Sequence, residues 1–497
     1  GSAGTGKTTI IGYLQKYYQE KSGNSHEYDF IYLAPTHAAT AQLALTTIDL
    51  GNKTIPFTVA SSFYSFMKGG KEVTGFKSKL ALDGFANYTL IVDEASMLED
   101  GNLNKLIKTA KAKGVKIIFM GDSNQIPSPD PKSINKSGQK VLNRAFGDTN
   151  STKLTKVYRQ NKSNLLTTLD NIKENTIMNN EVVAAEDGSI TILNKAEYNA
   201  SIIKDFKENP EDVIYIAYTN KAVQEFNKNI KKVVTKSENI LVGDKIVGYA
   251  GKDTKQIKYG DVANSISFIV TDLERQDDLS SIVKISAKSK ILKELADKGA
   301  GAVSESASTH YVQLSSNDSI IVDGITQEQM DYTNAKIGAV LHDYYTRYIA
   351  LASQPYSPSK YAKEKALQDN ITGYLGRMDL GNNYFYNPLT KLLSQTSAIK
   401  NGKASTLFST KKGLDYGYAI TAHKSQGMTI DKVYVAFDNI YNSKANQEII
   451  NKKGEVLNTE KNALYYVAMS RAKSNVTINS DIIKTIPDTS EVESVPA

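Results

Sequence analysis

The chain has 497 residues, no cysteine and a formal net charge of +7, with 40% hydrophobic and 23% charged residues. This length is enough for two to four domains. The absence of cysteine excludes disulfides, iron–sulfur clusters and zinc sites built on cysteine. The sequence shows no run of eighteen apolar residues and no signal-peptide pattern, so no spanning helix is predicted. The small basic excess fits either a polyanionic partner or an ordinary lysine-rich surface.

Short apolar runs, each followed by a polar cluster, alternate with segments of helical character such as 103–113. The runs are FIYLAPT (30–36), TLIVDEAS (89–96), VKIIFMGD (115–122), VIYIAYTN (213–220) and KVYVAFD (432–438). This alternation predicts an α/β fold with parallel sheets. Because such sheets bind ligands at the carboxyl ends of their strands, we expect the chemistry in the polar clusters.

The segment 241–415 has a different pattern. Short strand-like runs at 242–249, 265–274, 280–287 and 310–316 are followed by helical stretches at 326–351 and 359–375. The pattern predicts a small β-barrel carrying a helical hairpin, inserted into a second α/β domain. The polar tail 484–497 is expected to be disordered.

The first nine residues, GSAGTGKTT, match the phosphate-binding loop pattern G-x-x-x-x-G-K-[ST]. The three glycines, Gly1, Gly4 and Gly6, would let backbone N–H groups approach phosphate. Lys7 would reach the β- and γ-phosphates, and the Thr8 hydroxyl would ligate magnesium. A helix over about 8–21 would add its N-terminus as an anion site. The sequence therefore predicts ATP and Mg²⁺ as cofactors, and the alternative is a glycine-rich turn.

Polar side chains with suitable chemistry follow two later strands. Asp93, at the end of its strand, would hold magnesium, and Glu94 would polarise the attacking water. Gln125, in GDSNQIPSPDP (121–131), could contact the γ-phosphate. The alternatives are a solvated turn for the carboxylates and a surface loop for Gln125.

Arginine is scarce, since the sequence has six arginines among 60 basic residues. Two of them lie in strong local contexts, Arg159 in LTKVYRQ (154–160) and Arg471 in LYYVAMSRAK (464–473). A planar guanidinium is suited to neutralising charge on a transferring phosphoryl group. Each arginine could instead form a structural salt bridge.

Eight segments occur in an order and spacing that resemble the motifs of superfamily 1 helicases. They are GSAGTGKTT (1–9), APTHAA (34–39), VDEASM (92–97), GDSNQIPSPDP (121–131), LTKVYRQ (154–160), AYTNKAVQEFN (217–227), TAHKSQGMT (421–429) and LYYVAMSRAK (464–473). The last two look like the 5′→3′ branch, which includes RecD-like and phage Dda helicases. The segments at 34–39 and 121–131 look closest to Dda.

The resemblance implies two RecA-like domains with ATP between them. The expected divisions are a first domain at 1–150, a second at 151–240 and 416–483, and an SH3-like barrel with a helical tower at 241–415. The nucleotide would be bound by Gly1, Gly4, Thr5, Gly6, Lys7, Thr8, Thr9, Asp93, Gln125 and Gly427, with Thr8 and Asp93 holding the metal. Catalysis would rest on Lys7, Glu94, Gln125, Arg159 and Arg471.

The resemblance also implies an ATP-dependent DNA helicase that translocates 5′→3′ on single-stranded DNA. The expected partners are single-stranded DNA, DNA forks and replication or recombination proteins. The expected setting is replication, recombination or repair, with the chain a monomer in a bacterial or phage-infected cytoplasm. Alternatives are an RNA or RNA–DNA translocase, the motor part of a larger relaxase or nuclease, and a non-hydrolysing nucleic-acid-binding subunit.

Contacts to nucleic acid are implied mostly at strand ends. They are Pro35, Thr36, His37, Ser62, Phe63, Asn220, Thr421, His423 and Lys424. Residues 62–90 fall where the family has a strand-separating β-hairpin, and Phe76 would stack at the fork unless it is a core or surface aromatic. Val59 and Ser61 stand where relatives carry Thr and His, which puts a contact there in doubt.

The start of the sequence also departs from the family pattern. Helicases of this type have an adenine-reading Gln and a strand ahead of the phosphate loop. Both would precede Gly1, so the sequence is expected to be part of a longer helicase.

Overall fold

The structure is a computed structural model. It describes residues 1–21, 30–50, 57–58, 67–68, 71–72, 89–112, 114–128, 133–143, 145, 151–158, 163–174, 182, 184–236, 240–248, 265–275, 282–299, 306–312, parts of 343–355, 357–377 and 414–479. Several predictions fall on other residues and are left as predictions. They concern Ser62, Phe63, Phe76, Arg159, most of the helical stretch 326–351 and the tail 484–497.

The secondary structure of the described residues alternates between strands and helices, as predicted. The strands are β1 (Phe30–Ala34), β2 (Phe57–Thr58), β3 (Met67–Lys68), β4 (Lys71–Glu72), β5 (Thr89–Val92), β6 (Lys116–Phe119), β7 (Lys140–Val141), β8 (Ile190–Leu193), β9 (Val213–Ala217), β10 (Lys245–Gly248), β11 (Ser267–Arg275), β12 (Ile282–Lys288), β13 (Ser306–Val312), β14 (Leu414–Tyr416), β15 (Ala419–Thr421), β16 (Ile430–Val435), β17 (Glu448–Ile450), β18 (Val456–Thr459) and β19 (Ala472–Asn479). The helices are α1 (Lys7–Lys21), α2 (His37–Ile48), α3 (Asp100–Ala112), α4 (Ser163–Lys173), α5 (Lys195–Glu208), α6 (Asn220–Thr235), α7 (Lys290–Asp297), α8 (Pro358–Arg377), α9 (Ala422–Ser425), α10 (Phe437–Tyr441) and α11 (Glu460–Ser470).

The first sheet is parallel, with the strand order β2-β1-β5-β6. Ile11 of α1 and Leu43 of α2 pack with Tyr32 and Ile91 on one face. Leu103 of α3 packs with neighbouring strand residues on the other face. Layers of helix on both faces explain why β5 is buried after its first residue, as is usual for a central parallel strand.

The second sheet is also parallel, with the order β15-β9-β16-β19-β8. Helix α11 is buried almost throughout and packs with α4 against one face, through residues such as Leu464 and Leu165. Helices α5 and α6 cover the other face, where Phe206 and Ile230 are buried. The prediction of an α/β fold with parallel sheets is therefore confirmed.

A third, antiparallel sheet has the order β13-β12-β11-β10-β14. Its connections to the second sheet are fixed by α6. Lys231 pairs with the carboxylate of Asp244 at 2.6 Å in a buried position, and Asn227 accepts a hydrogen bond from Ala419 N at 2.8 Å. In the described residues this sheet is open, with β13 and β14 as edge strands, so closure into an SH3-like barrel remains a prediction.

Two smaller pairings complete the description. Strands β3 and β4 form a short antiparallel pair on either side of Gly69-Gly70, at the position predicted for the hairpin wedge. Strand β7 joins β17 and β18 in a three-stranded sheet, running parallel to β17. Residues 140–141 therefore pair with a strand more than 300 residues later in the chain.

None of the helices in the described part of the chain has the length and apolarity that a bilayer span requires.

Candidate active site

The glycine-rich loop leads directly into α1 at the carboxyl edge of the first sheet. Gly4 and Gly6 have φ values of 74° and 76°, which L side chains rarely adopt. Thr5 closes the loop, since its hydroxyl donates to Ser2 O at 2.8 Å. The Lys7 ammonium donates to the carbonyl oxygens of Gly1 and Ser2 at 2.8 and 2.9 Å. The loop thus presents one cation and the N-terminus of α1 to the same space, which suits a bound anion.

Two carboxylates lie beside this loop. The Thr8 hydroxyl donates to Asp93 Oδ2 at 3.1 Å, and the backbone N–H of Glu94 donates to Asp93 Oδ1 at 2.8 Å. Hard oxygen ligands of this kind suit Mg²⁺, which usually takes one or two protein oxygens and completes its shell with phosphate and water. In the described residues, no cluster of three or more acidic or histidine side chains could hold a metal by itself. Thr8 and Asp93 therefore fit a magnesium ion that is shared with a nucleotide.

Glu94 has an unusual backbone and an unusual environment. Its φ of 48° and ψ of 41° place it in the left-handed region, where a non-glycine residue is uncommon. Its Oε2 is buried and has no hydrogen-bond partner in the described residues. Burial, and then the charge of Asp93, raise the pKa of the Glu94 carboxyl, whereas Lys7 and Arg471 act in the opposite direction. A buried carboxylate oxygen that has no partner and lies next to an anion site is typical of a functional group.

Side chains of the second half of the chain reach the same place. Gln426 donates to Ile126 O at 3.0 Å and to Gln125 Oε1 at 3.4 Å. Gln125 is buried, with 1% exposure. Gly427 approaches α2 so closely that a Cβ there would lie 2.8 Å from the Cβ of Ala39, and its φ is 79°. Glycine is required at that position both by the backbone and by the space.

Arg471 follows directly after α11 and is 1% exposed. Its guanidinium donates to Val467 O at 3.0 Å, Met428 O at 3.4 Å and Ser470 Oγ at 2.9 Å. Burial lowers the pKa of Arg471, and the negative charge of Glu94 opposes that effect. The arginine is therefore held by its own part of the chain within electrostatic range of the candidate catalytic carboxylate.

Tyrosines that the sequence did not single out also contribute. The Tyr466 hydroxyl donates to Asp122 Oδ2 at 2.6 Å and accepts from Ala3 N at 2.9 Å. Tyr158 has its backbone N–H bonded to Gly4 O at 2.8 Å, and its ring is 63% exposed beside the loop. Both tyrosines belong to the quoted segments 154–160 and 464–473, so the signal was present, but their roles depend on contacts that no local pattern reveals.

Many of these groups line one cleft of about 630 Å³. Its lining includes Gly4, Thr5, Gly6, Lys7, Thr8, Thr9, Asp93, Glu94, Tyr158, Gly427 and Thr429. Most of the residues expected at a nucleotide are thus brought together, with Gln125 and Arg471 buried next to them. Arg159 lies outside the described residues.

The expected nucleic-acid contacts lie at the starts of helices. Thr36 caps α2 by accepting from Ala39 N at 3.1 Å, and Thr421 caps α9 by accepting from Lys424 N at 3.3 Å. Asn220 is exposed as the first residue of α6. Each of these helices follows a parallel strand, so their N-termini and Pro35 lie at carboxyl edges of the two sheets. Helix N-termini are suited to phosphate contacts.

The two histidines of this region are not charged groups at neutral pH. Burial lowers the pKa of His37. Burial, followed by the charge of Lys140, lowers the pKa of His423 to about 4, against the opposing effect of Glu460. The Lys424 ammonium donates to Gly248 O at 2.7 Å. Of these three, only Lys424 offers a positive charge to a polyanion.

The fold and the site define an α/β protein with a glycine-rich loop, a carboxylate pair and a shared cleft. Residues 1–195 match a protein-family model described as an AAA domain. An uncharacterized protein of Acanthamoeba polyphaga mimivirus is 22% identical over 472 residues, which is 88% of this chain and 87% of that protein. An uncharacterized protein of Methanocaldococcus jannaschii is 27% identical over 314 residues, which is 52% of this chain and 25% of that protein.

Among solved structures, the chain is similar to a Pif1 helicase from Bacteroides in complex with ADP-AlF3 and ssDNA. The TM-score is 0.45 and the identity 16%, with 98% of this chain and 90% of that chain covered. A Pif1 helicase from Candida albicans matches with a TM-score of 0.38 and 16% identity, covering 96% and 89%. Beyond the AAA-domain match at residues 1–195, the resemblance to superfamily 1 helicases remains a prediction. The closer likeness to RecD-like and Dda helicases remains a prediction.

Proposed function

We propose that this chain is an ATP-dependent DNA helicase that translocates 5′→3′ on single-stranded DNA and separates duplex at forks. The observation that carries the proposal is the shared cleft. Lys7, Thr8, Asp93 and Glu94 line it from the first sheet's loops, whereas Gly427 and Thr429 line it from the second sheet's elements. Gln426 and Arg471 of the same elements are buried close to Gln125 and Glu94. A ligand that binds both sides makes the relative position of the two sheets depend on its chemical state, which is what an ATP-driven motor needs.

The phosphate chemistry follows from the loop and the carboxylates. Lys7 would exchange its two carbonyl partners for phosphate oxygens, because a charged phosphate is a stronger acceptor than the neutral carbonyl oxygens of Gly1 and Ser2. Bound Mg²⁺, held by Thr8 and Asp93, would neutralise charge on the β- and γ-phosphates. Glu94 Oε2 would accept a hydrogen bond from the attacking water and orient it. Its raised pKa, caused first by burial, makes it a better proton acceptor than an exposed carboxylate.

The second half of the chain would supply charge at the transferring phosphoryl group. Arg471 is the proposed donor, since it is buried within range of Glu94. Gln125 and Gln426 would report on the γ-phosphate across the cleft through their mutual hydrogen bond. Arg159, as the neighbour of Tyr158 in the chain, is proposed as a second arginine. The exposed Tyr158 ring offers a flat apolar surface on which a nucleobase can stack.

The proposed DNA track runs over the carboxyl edges of both sheets. The N-termini of α2, α6 and α9 would bind phosphates, through Thr36, Asn220 and Thr421. Pro35, His37, His423 and Lys424 would lie along the same track, and Ser62 and Phe63 are proposed to continue it. The sequence divisions 1–150, 151–240 with 416–483, and 241–415 are proposed as the working domains, with 62–90 as the wedge. DNA replication, recombination or repair would be the setting, and the chain would act as a monomer.

The decisive test combines DNA-stimulated ATP hydrolysis with unwinding of forks that carry a 5′ or a 3′ tail. We expect unwinding of the 5′-tailed DNA fork only. Preference for the 3′ tail would contradict the polarity, and equal or greater activity on RNA forks would indicate an RNA translocase. Binding of single strands without hydrolysis would point to a binding subunit instead.

Lys7→Ala serves as the matched loss-of-function variant. It should abolish hydrolysis, because the phosphates lose their main cation, while single-strand binding stays near that of the unchanged chain. Lys16→Ala is the control, since Lys16 lies exposed on the same helix. Substantial DNA-stimulated turnover by Lys7→Ala would refute the assignment of the loop.

A further inference from the structure

The Tyr466 hydroxyl lies between the glycine-rich loop and the segment 121–131. It accepts a hydrogen bond from the N–H of Ala3 at 2.9 Å and donates one to Asp122 Oδ2 at 2.6 Å. The side chain is 1% exposed, and Asp122 is equally buried. One oxygen atom of the second half of the chain therefore joins two separate segments of the first.

Both of these segments are close to the chemistry. Ala3 follows Gly1 and Ser2, whose carbonyl oxygens accept from Lys7. Asp122 is the second residue of the segment 121–131 that carries Gln125, and the carbonyl oxygen of Asp122 accepts from Gln125 N at 3.2 Å. A shift of the Tyr466 hydroxyl would therefore displace both the glycine-rich loop and the segment that carries Gln125.

The Lys173 side chain also contacts both the loop and the Tyr466 ring. The Lys173 ammonium donates to Ser2 Oγ at 3.1 Å and lies 5.9 Å from the centre of the Tyr466 ring. A cation at that distance is attracted to the face of the ring. The ring and the loop are thus held together by α4 as well as by α11.

The hydrogen bonds of Arg471 do not set its distance from the phosphate-binding loop. All the hydrogen-bond partners described for its guanidinium, Val467, Met428 and Ser470, belong to the second half of the chain. Those bonds fix the arginine to its own sheet but not to the phosphate loop. Tyr466 lies five residues earlier on the same helix, about 7.5 Å along the axis. Its hydroxyl accepts a hydrogen bond from the backbone of the loop, at Ala3 N.

We infer that Tyr466 is a positioning residue, whose hydroxyl fixes the distance between Arg471 and the phosphate-binding loop when the cleft is closed. This inference rests on the proposed ATP hydrolysis. Rigid helix geometry transmits the placement, because residues 466 and 471 are joined by one continuous helical turn and its end. A misplacement of about 1 Å at a reacting centre can cost roughly a hundredfold in rate. Burial, and then Asp122, raise the pKa of Tyr466, so the hydroxyl keeps the proton that it donates.

The test is Tyr466→Phe, which removes a single oxygen atom. We expect kcat for DNA-stimulated ATP hydrolysis to fall roughly ten- to a hundredfold, with a much smaller change in the dissociation constant of ATP. Tyr465→Phe is the control. Tyr465 is the adjacent buried tyrosine, and among the described residues its hydroxyl donates only to Phe437 O, at 3.3 Å. It should keep the kcat of the unchanged chain.

A double variant separates positioning from a general loss of structure. If Tyr466 acts through Arg471, Tyr466→Phe with Arg471→Ala should be no slower than Arg471→Ala alone. The inference would be overturned if the fall in kcat of the double variant equalled the product of the two single falls. It would also be overturned if Tyr466→Phe had the same kcat as Tyr465→Phe. Equal losses in kcat and ATP affinity would also overturn it, because they would indicate a damaged loop.

Asp122→Ala, which removes the acceptor, tests the same contact from the other side should Tyr466→Phe prove unstable. A similar fall in kcat is expected, and unchanged kcat would contradict the inference. Suppose that the unchanged chain hydrolyses ATP, that Lys7→Ala does not, and that Tyr466→Phe hydrolyses it at the unchanged rate. The proposed function would then stand, but Tyr466 would not have this role. No hydrolysis by the unchanged chain would overturn both.

Discussion

At the residue scale, Arg471 combines deep burial with hydrogen bonds that, among the described residues, all go to its own half of the chain. Such an arginine is preorganised, because little side-chain freedom remains to be lost when a phosphate arrives. Because those bonds hold the arginine to its own half of the chain, we expect it to contribute little to ground-state binding of ATP. Its effect should therefore appear in the transition state rather than in the affinity for ATP.

Arg471→Ala should therefore lower kcat of ATP hydrolysis by roughly 10³-fold or more, and weaken ATP binding far less. Parallel measurements of steady-state hydrolysis and of equilibrium nucleotide binding check this. Lys473→Ala is a suitable control, because Lys473 is exposed and lies two residues further along the chain. Equal losses in hydrolysis and binding would count against the role.

His423 gives a second prediction at this scale. Its pKa is about 4 in the folded chain, because of burial and then Lys140, against about 6.5 when unfolded. Between these values only the unfolded chain takes up the proton, so folding stability falls as the pH drops from about 6.5 to 4. His423→Gln should remove about 3 kcal/mol of this pH dependence, measured by urea unfolding at each pH. Parallel stability curves for the two chains would contradict it.

At the scale of elements, β7 connects the two halves. It runs beside β17, and Leu142 N donates to Ile450 O at 2.9 Å. Two residues after β7, Asn143 donates to Ala95 O at 2.6 Å and to Leu98 O at 3.0 Å. This short segment therefore links the turn that follows Glu94 to the sheet that precedes α11.

The buried ion pair between Lys140 and Glu460 holds that link, with Nζ and Oε1 2.6 Å apart. Lys140→Met should lower the free energy of unfolding by about 3–5 kcal/mol, because it leaves the Glu460 carboxylate buried and unpaired. Lys140→Met with Glu460→Leu should recover much of the loss, since neither charge remains.

Lys290→Met is the matched control for that pair. Lys290 also has its ion-pair partner, Asp212, at 2.6 Å, but the two side chains are 58% and 45% exposed. Its loss should cost under about 1 kcal/mol. Urea unfolding of all four chains is the measurement, and a double variant as unstable as Lys140→Met would contradict the account.

At the scale of the whole molecule, the net charge of +7 is modest. Binding to single-stranded DNA should nevertheless weaken steeply with salt, with a log–log slope of about −0.7 for each phosphate neutralised. Lys424→Gln should make this slope shallower by about that amount, whereas Lys111→Gln, on the exposed side of α3, should not. Titrations at several salt concentrations check both, and a flat profile for the unchanged chain would argue against a phosphate-tracking groove.

The motifs could be interpreted from the sequence because their chemistry is local. Thr8 and Lys7 follow Gly6 directly, and Asp93 and Glu94 directly follow an apolar strand. The parallel strands β1, β5, β6, β9 and β16 were predicted for the same reason, since each is a short apolar run. Strands β8, β15 and β19 were not predicted. β15 has only three residues, and the first four residues of β19 include the polar run KSN, so their pairing depends on neighbours distant in sequence.

The start of β13 also differs from the one that the sequence predicted. The sequence predicted a strand at 310–316, whereas the structure has it at Ser306–Val312. Its register is fixed by β12, through pairs from Ile282 with Val312 to Lys288 with Ser306. Cross-strand pairing decides such boundaries, because hydrogen bonds to a partner strand extend through polar residues that no apolar pattern includes.

The sequence by itself determined the candidate nucleotide chemistry and the α/β class, because each depends on residues that are contiguous or periodic. Only the tertiary structure decided which groups meet. Tyr466 contacts Ala3 across 463 positions, and Lys140 contacts Glu460 across 320. Contacts of that range are set by how the two sheets pack against each other. Whether Arg471 faces the phosphate loop is therefore a property of the folded molecule, although the arginine itself can be identified from its motif.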